Sequence, residues 1–414
     1  MQEQSRYAVG IDIGTTTVRA VVGHIDPATG TPTIVGVGQA VNTGMRKGTV
    51  VNLGGPAHAI DEALGEAERM SGYEVNEATV SINGSHIVST KSDGMIAVGM
   101  ANHEVTDEDL SRLEEVATTG KVPANREILE VVPFSYTLDG QGSIKDPVGM
   151  NGTRLEISAN VVSAMAPYVT NLQKAAEMAT VKSNACVPAV MASAKAVLLD
   201  SQIESGVAVV DIGGATTGVA VFEEGDLQYV GVVPLGGANI TNDLAIGLKT
   251  DPEIAEKVKV SHGSALIRKE NEGISVKHDG AVYSFQTREI DEIIEARLEE
   301  IFEAVNHELK KAGRAGQLPS GVVLTGGTAK LKGLAEYAKE QLGLAVRIGK
   351  PSGFAGVADH IDEPQYAAAV GLMLIDADDT PRSHGDASRS QTSGKSMMKG
   401  AGGILSGIFG KFKP

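Results

Sequence analysis

Two short stretches constrain this chain more than anything else in it. "YAVGIDIGTTTVRAVVG" spans residues 7–23 and "VAVVDIGGATTGVAVFEEG" spans residues 207–225. Each is an apolar run, then Asp-Ile-Gly, then a bend rich in Gly and Thr, then a second apolar run. β-Branched runs bounded by glycine read as strands, so each stretch is predicted to be a hairpin. One such hairpin is an ordinary turn. Two of them about half a chain apart imply a duplicated α/β unit.

The bends have readable chemistry. Gly14, Gly213 and Gly214 let backbone N–H groups approach an anion closely. Thr15, Thr16, Thr216 and Thr217 add hydroxyl donors suited to phosphate oxygens. Asp12 and Asp211 would repel phosphate if left bare. Each ends a predicted strand beside the bend, a place where a carboxylate commonly holds hydrated Mg²⁺. A third stretch, "GVVLTGGTAKLKGL" (321–334), reads as a strand, a Gly-Gly bend and a helix start. It puts Gly326 and Gly327 where a flat base or a sugar could lie on bare backbone. It is not a G-x-G-x-x-G fingerprint, which disfavours a dinucleotide fold. "GKS" at 394–396 is not a Walker A loop either, because Arg389 stands where the first glycine is needed.

At 414 residues the chain exceeds one ordinary core, so two or more domains are expected. The formal charge of −16 makes nucleic acid an improbable partner for the body, since phosphate binding needs clustered Lys and Arg. With Cys186 the only cysteine, no intrachain disulfide can form, which fits a reducing compartment. The first residues have no signal-peptide core, and no apolar run reaches the roughly 18 residues needed to span a bilayer. A location in the cytosol, or on the cytosolic side of a membrane, is expected. The nine histidines are scattered, without metal-ligand spacing.

Two predicted helices carry organisation rather than catalysis. "VTDEDLSRLEEVATTG" (105–120) has Thr106 as cap, Asp109 three positions on, and Val105, Leu110, Leu113 and Val116 as an apolar stripe. "TREIDEIIEARLEEIFEAVNHELKKAG" (287–313) has Thr287 as cap, Gly313 as stop, and a buried stripe from Ile290 to Leu309. Its Arg288 and Arg297 suit either an acidic peptide or pairing along the helix, with Asp291 or Glu292 and with Glu300.

The end of the chain differs from the rest. From Thr380 onward six Lys and Arg face one Asp, giving 6 − 1 = +5, so the remainder carries −16 − 5 = −21. At about 100° per residue, Ile404, Leu405, Ile408, Phe409 and Phe412 share one arc, flanked by Lys411 and Lys413. Apolar face and flanking lysines make the pattern of an interfacial membrane helix binding anionic lipid.

Taken together, these residues resemble the superfamily of actin, heat-shock ATPase chaperones and sugar kinases. "DIGTTTVRA" and "DIGGATTGVAV" are similar to its two phosphate loops, "VVLTGGTAKLKGL" to its adenosine motif, and "ACVPAVMASAKAV" and "YAAAVGL" to its connecting helices. "VSINGSHIVSTKSDGMIAV" (80–98) and "REILEVVPFSYTLDGQGSIKDPVGMNGTRLEISANVV" (126–162) narrow the resemblance to FtsA, a family of bacterial cell-division proteins.

The resemblance implies an α/β, actin-like duplicated two-lobed fold with a small inserted α+β domain and a C-terminal amphipathic helix. The expected divisions are lobe 1 at 1–82 and 164–192, the insert at 83–163, and lobe 2 at 193–225, 226–312 and 313–349. A closing helix at 350–378, a linker at 379–398 and the membrane helix at 399–414 follow. It implies ATP and Mg²⁺ as cofactors. Gly14, Thr15, Thr16, Gly213, Gly214, Ala215 and Thr216 would meet phosphate, with Asp12 and Asp211 on the metal through water. Gly237, Glu256, Lys259, Gly326, Gly327 and Lys330 would meet adenosine. Arg288 and Arg297 would meet the C-terminal tail of the tubulin-like protein FtsZ.

Further partners implied are copies of the chain itself, anionic lipids of the inner membrane at the division septum, and later division proteins. Lys195 stands where actin orients water and has no acceptor for a water proton, so at most weak ATP turnover is expected. A sugar kinase and a pilus-assembly actin homologue are the competing readings.

Overall fold

The structure, a computed structural model, describes residues 6–26, 30–99, 103–356 and 361–379. The linker and membrane helix expected beyond Asp379 lie outside the described residues.

The chain begins with the hairpin β1 (Arg6–Ile13) and β2 (Thr17–Ile25), extended by β3 (Pro32–Val41). A small hairpin, β4 (Met45–Arg46) and β5 (Thr49–Val50), leads to α1 (Gly54–Ser71) and β6 (Glu77–Ile82). Next come β7 (Val88–Ala97), α2 (Asp107–Thr118), β8 (Arg126–Leu138), β9 (Gln141–Ile144) and β10 (Arg154–Met165). α3 (Ala166–Met178), β11 (Lys182–Pro188), α4 (Ala189–Val197) and α5 (Asp200–Ser205) return the chain to the second hairpin, β12 (Val207–Ile212) and β13 (Thr217–Glu223). β14 (Asp226–Val233), α6 (Gly237–Gly247), α7 (Pro252–His262), β15 (Gly273–His278), β16 (Ala281–Gln286) and α8 (Thr287–Lys311) follow. β17 (Val322–Thr325), a 3₁₀ turn at Gly327–Lys330, α9 (Leu334–Leu342), β18 (Val346–Ile348) and α10 (Ala367–Asp379) complete it.

Two five-stranded sheets repeat one plan. In strand order they are β3-β2-β1-β6-β11 and β14-β13-β12-β17-β18. Each has an antiparallel meander of three strands joined to two parallel strands. The central strands β1 and β12 are covered on both faces, which explains their unbroken apolar runs. α4 and α10 cross between the sheets. Gly371 makes this possible, because a Cβ there would collide with the Ala192 carbonyl. A Cβ on Gly10 would likewise strike the backbone of α10.

The insert is a four-stranded sheet, β7-β10-β8-β9, covered by α2. Thr106 Oγ1 accepts from the Asp109 N–H (3.3 Å) and Asp109 Oδ2 accepts from the Thr106 N–H (3.1 Å), a reciprocal cap that starts α2 as its sequence implies. Its buried stripe runs through Leu113 and Ala117; Val116 is 45% exposed, so the expected stripe is off by one residue at its end. The insert leans on lobe 2: Lys145 pairs with Asp226, and the Val230 N–H donates to Ser89 Oγ (2.9 Å).

α8 buries Ile290, Ile294, Leu298, Ile301, Phe302, Val305 and Leu309 to 1% exposure or less. Each such side chain contributes about 1.5–3 kcal/mol. Thr287 does not cap this helix. It is the first helical residue, and its Oγ1 accepts from the Glu272 N–H (2.9 Å), tying the helix start to the strand before it.

Candidate nucleotide cleft

The hairpin turns of the two sheets face one another across a cavity of about 1150 Å³. The glycine amides close the turns themselves: Gly14 N–H donates to Thr17 O (3.2 Å) and Gly213 N–H to Thr216 O (2.9 Å). They are therefore not the anion donors that the sequence suggests. Among the described residues, no hydrogen bond engages the next amides, those of Thr15, Thr16, Gly214 and Ala215. Thr15, Gly214 and Ala215 are half-buried and Thr16 is exposed; half-buried amides rarely stay unpaired, so this set of donors suits an anion. Gly14, Thr15, Thr16, Gly213, Gly214 and Thr216 line the cavity; Ala215, expected there, does not. Thr217 is buried and donates to Leu235 O (2.9 Å), so its hydroxyl holds the fold and is withdrawn from the cavity.

The turns are braced from behind. Asn42 donates through its side chain to Gly14 O (2.8 Å) and through its amide to Thr16 O (3.0 Å). Gly237 N–H donates to Gly213 O (2.9 Å), and Thr328 Oγ1 to the same carbonyl (3.1 Å). A Cβ on Gly214 would come within 2.7 Å of Thr16 Oγ1, so the two lobes meet at their turns.

Asp12 and Asp211 sit below them. Ser81 Oγ donates to Asp12 Oδ1 (2.8 Å), and Ser193 Oγ donates to Asp211 Oδ2 (2.6 Å). Burial raises both carboxyls above their ordinary value, Asp211 to about 6, and the charge of Asp12 pushes Asp211 further up. Arg19, whose guanidinium lies 5.6 Å from the Tyr366 ring centre, opposes the rise in both. Two buried carboxyls beside open amides could hold a cation next to an anion, and a hydrated Mg²⁺ would suit such oxygen donors. Among the described residues no cluster of three or more His, Cys, Asp and Glu side chains could hold a metal.

The far wall suits a base and sugar. Lys259 Nζ donates to Glu256 Oε2 (2.6 Å), Thr241 Oγ1 (2.8 Å) and Gly237 O (3.1 Å). Thr241 also bonds Glu256. This network presets polar groups that looked unremarkable as sequence. Gly326 has φ of +85°, and a Cβ on it would lie 2.6 Å from Ile212 O. Beside it, a Cβ on Gly327 would meet nothing within 4 Å, so bare backbone faces open space. Lys330 lines the same wall and pairs with Glu363 (2.6 Å).

Other residues fall elsewhere. Lys195 points away from the cavity and pairs with Asp378 (3.1 Å); α4 presents Ala189 to the cleft instead. Arg297 is held by Asp243 and Glu300, and Arg288 by Glu292 (3.1 Å), while Asp291 is fully buried against Arg268. Arg19, Asn42, Asn83 and Arg268 were missed. Only Arg19 left a trace, an inward position in the alternation after Thr17.

A family model for cell division protein FtsA matches residues 208–371, and one for the SHS2 domain inserted in FtsA matches residues 84–163. Cell division protein FtsA of Pseudomonas aeruginosa is 34% identical over 90% of this chain and 89% of its own length. The chain belongs to the FtsA family. FtsA of Bacillus subtilis is 36% identical over 88% of this chain and 82% of its own, and that of Escherichia coli K12 35% over 89% and 90%.

Solved structures extend the likeness of this FtsA chain to fold alone. The PilM-PilN type IV pilus biogenesis complex matches with a TM-score of 0.65 at 17% identity, covering 89% of this chain and 98% of that one. MreB5 of Spiroplasma citri bound to ADP gives 0.53 at 13%, covering 89% and 96%; a MamK double helical filament gives 0.52 at 14%, covering 91% and 100%. The fold is thus actin-like, with the insert characteristic of FtsA, and the chain is a cell-division protein. The sugar-kinase and pilus-assembly readings give way to this family, the latter sharing the fold only.

Proposed function

We propose that the chain binds ATP with Mg²⁺ between its two turns, assembles with copies of itself in that state, and anchors FtsZ filaments to the cytoplasmic face of the inner membrane at the septum. The observation that carries the nucleotide reading is that Asp12 and Asp211 line one cavity with turn amides that have no partner among the described residues. Thr15, Thr16, Gly214, Ala215 and Thr216 would hold the phosphates; Asp12 and Asp211 would hold the metal's waters; Gly237, Glu256, Lys259, Gly326, Gly327 and Lys330 would bound the adenosine. The bound metal would neutralise phosphate charge. The chain's own part is to orient the nucleotide and to draw the lobes together on it.

Turnover is proposed to be slow, because α4 offers the cavity the methyl group of Ala189, which cannot orient water. ATP then acts as a switch for assembly. Arg288, 60% exposed, is the better candidate for an acidic FtsZ tail, since Arg297 is locked between α6 and α8. The basic segment 399–414 is proposed to bind anionic lipid weakly, with avidity in a polymer making attachment firm and leaving the assembly free to recruit later division proteins.

Co-sedimentation with anionic vesicles tests the whole reading. Binding should rise with ATP and Mg²⁺, and Phe409→Glu should abolish it while nucleotide binding persists. Vesicle binding indifferent both to ATP and to deletion of residues 400–414 would overturn it.

A further inference from the structure

Away from the cleft, a second concavity of about 570 Å³ lies between α1 and the turn after α3. α1 lends it Asp61, Glu62, Glu68 and Arg69, so its charged walls sum to −3 + 1 = −2 with His58 neutral. Its floor is apolar: Leu64, Val75 and Val181. Met70 and Met178, each adjacent in sequence to a lining residue, are both 58% exposed. Exposed thioethers adapt to varied apolar partners.

Gly65 marks the middle of this wall. A glycine inside a helix is about 1 kcal/mol worse than alanine, and α1 has 18 residues. A Cβ on Gly65 would meet only Arg69 Nη1, at 3.9 Å. Packing among the described residues does not require the glycine, so the space over it is open to a chain arriving from outside.

α10 delivers such a chain. Near its end Asp376 accepts from the Val9 N–H (2.9 Å) and Thr79 Oγ1 (2.8 Å), and Ala377 O accepts from Arg6 (2.7 Å). Tyr7, next to Arg6, stacks on Tyr73 at 4.0 Å. Tyr73 follows the Gly72 cap of α1 and feels the charge of Asp376; Val75, two residues on, lines the concavity. The described chain therefore ends close to this groove.

We propose that the groove receives the chain's own residues 399–414 when they are not on lipid. The proposal rests on the reading of that segment as the membrane contact. Residues beyond Asp379 carry +5 against a body of −21, and their five large apolar residues suit the groove's apolar floor. A free chain as long as residues 380–398 would span about 20–25 Å, and α1 is about 27 Å long, so reach is no obstacle. One basic, apolar segment is thus shared between two acidic surfaces, the groove and an anionic leaflet. Docking keeps single copies off the membrane, and the avidity of an assembly overcomes it.

The test uses the full chain with Glu62→Cys and Ser406→Cys. Cys186 is partly exposed, so it is replaced by serine in every cysteine pair and only the introduced thiols can react. A bismaleimide should link the pair within one chain, independently of protein concentration, well above a control pair of Val282→Cys and Ser406→Cys. Vesicles with about 30% phosphatidylserine should suppress the link. Asp61→Lys with Glu62→Lys, both at exposed positions, should tighten binding to those vesicles roughly 3–10-fold by releasing a held segment. Linking no better than the control, linking that grows with protein concentration, or vesicle binding unchanged or weakened by the charge reversal would each overturn the proposal. Vesicle binding that survives deletion of residues 400–414 would instead sink the membrane reading, while the lipid-free link reports docking separately.

Discussion

Asp211→Asn should stabilise the nucleotide-free protein at pH 8 and at the same time remove its response to Mg²⁺ and ATP. Asp211 has an ordinary value of 3.8 and a folded value of about 6, raised by burial and by Asp12. For a carboxyl raised on folding, the cost is absent below 3.8, grows as pH rises, and is complete above the folded value. About two units correspond to roughly 3 kcal/mol at pH 8, and to about half of that at pH 5. Asparagine keeps the shape, and its amide can still meet Ser193, but it carries no charge. Thermal unfolding should therefore shift upward by a few degrees at pH 8, about 2–5 °C, with a smaller shift at pH 5.

The wild-type protein should gain stability with Mg²⁺ and ATP in proportion to the logarithm of ligand over Kd, about 2.7 kcal/mol at a hundredfold excess. The variant should gain almost nothing. Differential scanning fluorimetry across pH, with and without ligand, reads both effects. A variant that is less stable at pH 8 and still responds fully to Mg²⁺ and ATP would refute the assignment of Asp211 to a cation site.

Other residues carry sharper, smaller expectations. Gly237→Ala would drive a methyl group into Thr328 Oγ1 and disturb the brace behind the second turn, so ATP affinity measured by calorimetry should fall at least about tenfold. Lys195→Gln should leave phosphate release unchanged, because Lys195 faces Asp378 away from the cavity, and should cost less than about 1 kcal/mol in chemical denaturation. Arg288→Glu should weaken binding of a synthetic FtsZ-tail peptide in fluorescence anisotropy without altering the melting temperature. Arg297→Ala, which cuts the tie to Asp243, should lower the melting temperature, since it leaves a partly buried carboxylate without its main partner.

Legibility differed by scale. The hairpins, the Gly-Gly bend and the apolar face of α8 were plain, because β-branched runs, glycine punctuation and helical periodicity are local and repeat. The cap of α2 was equally local. Thr287 and Val116 went astray for the opposite reason: whether a threonine caps, or a valine is covered, depends on the strand packed alongside. Lys195 shows the same limit. Its place along the connecting helix matched a water-orienting position, but the helix turns that side chain toward α10.

The sequence alone determined the duplication, the two aspartates and their bends, the capped helix of the insert and the charge contrast between body and tail. These follow from short-range patterns that each segment carries unaided. Only the tertiary structure decided that Asp12 and Asp211 crowd one another, that the turn glycines use their own amides, that Arg19 and Asn42 serve the cleft, and that α1 forms an acidic groove near the end of α10. Those facts depend on residues tens to hundreds of positions apart. Burial and packing, which bring them together, set their charge and leave certain backbone groups without partners.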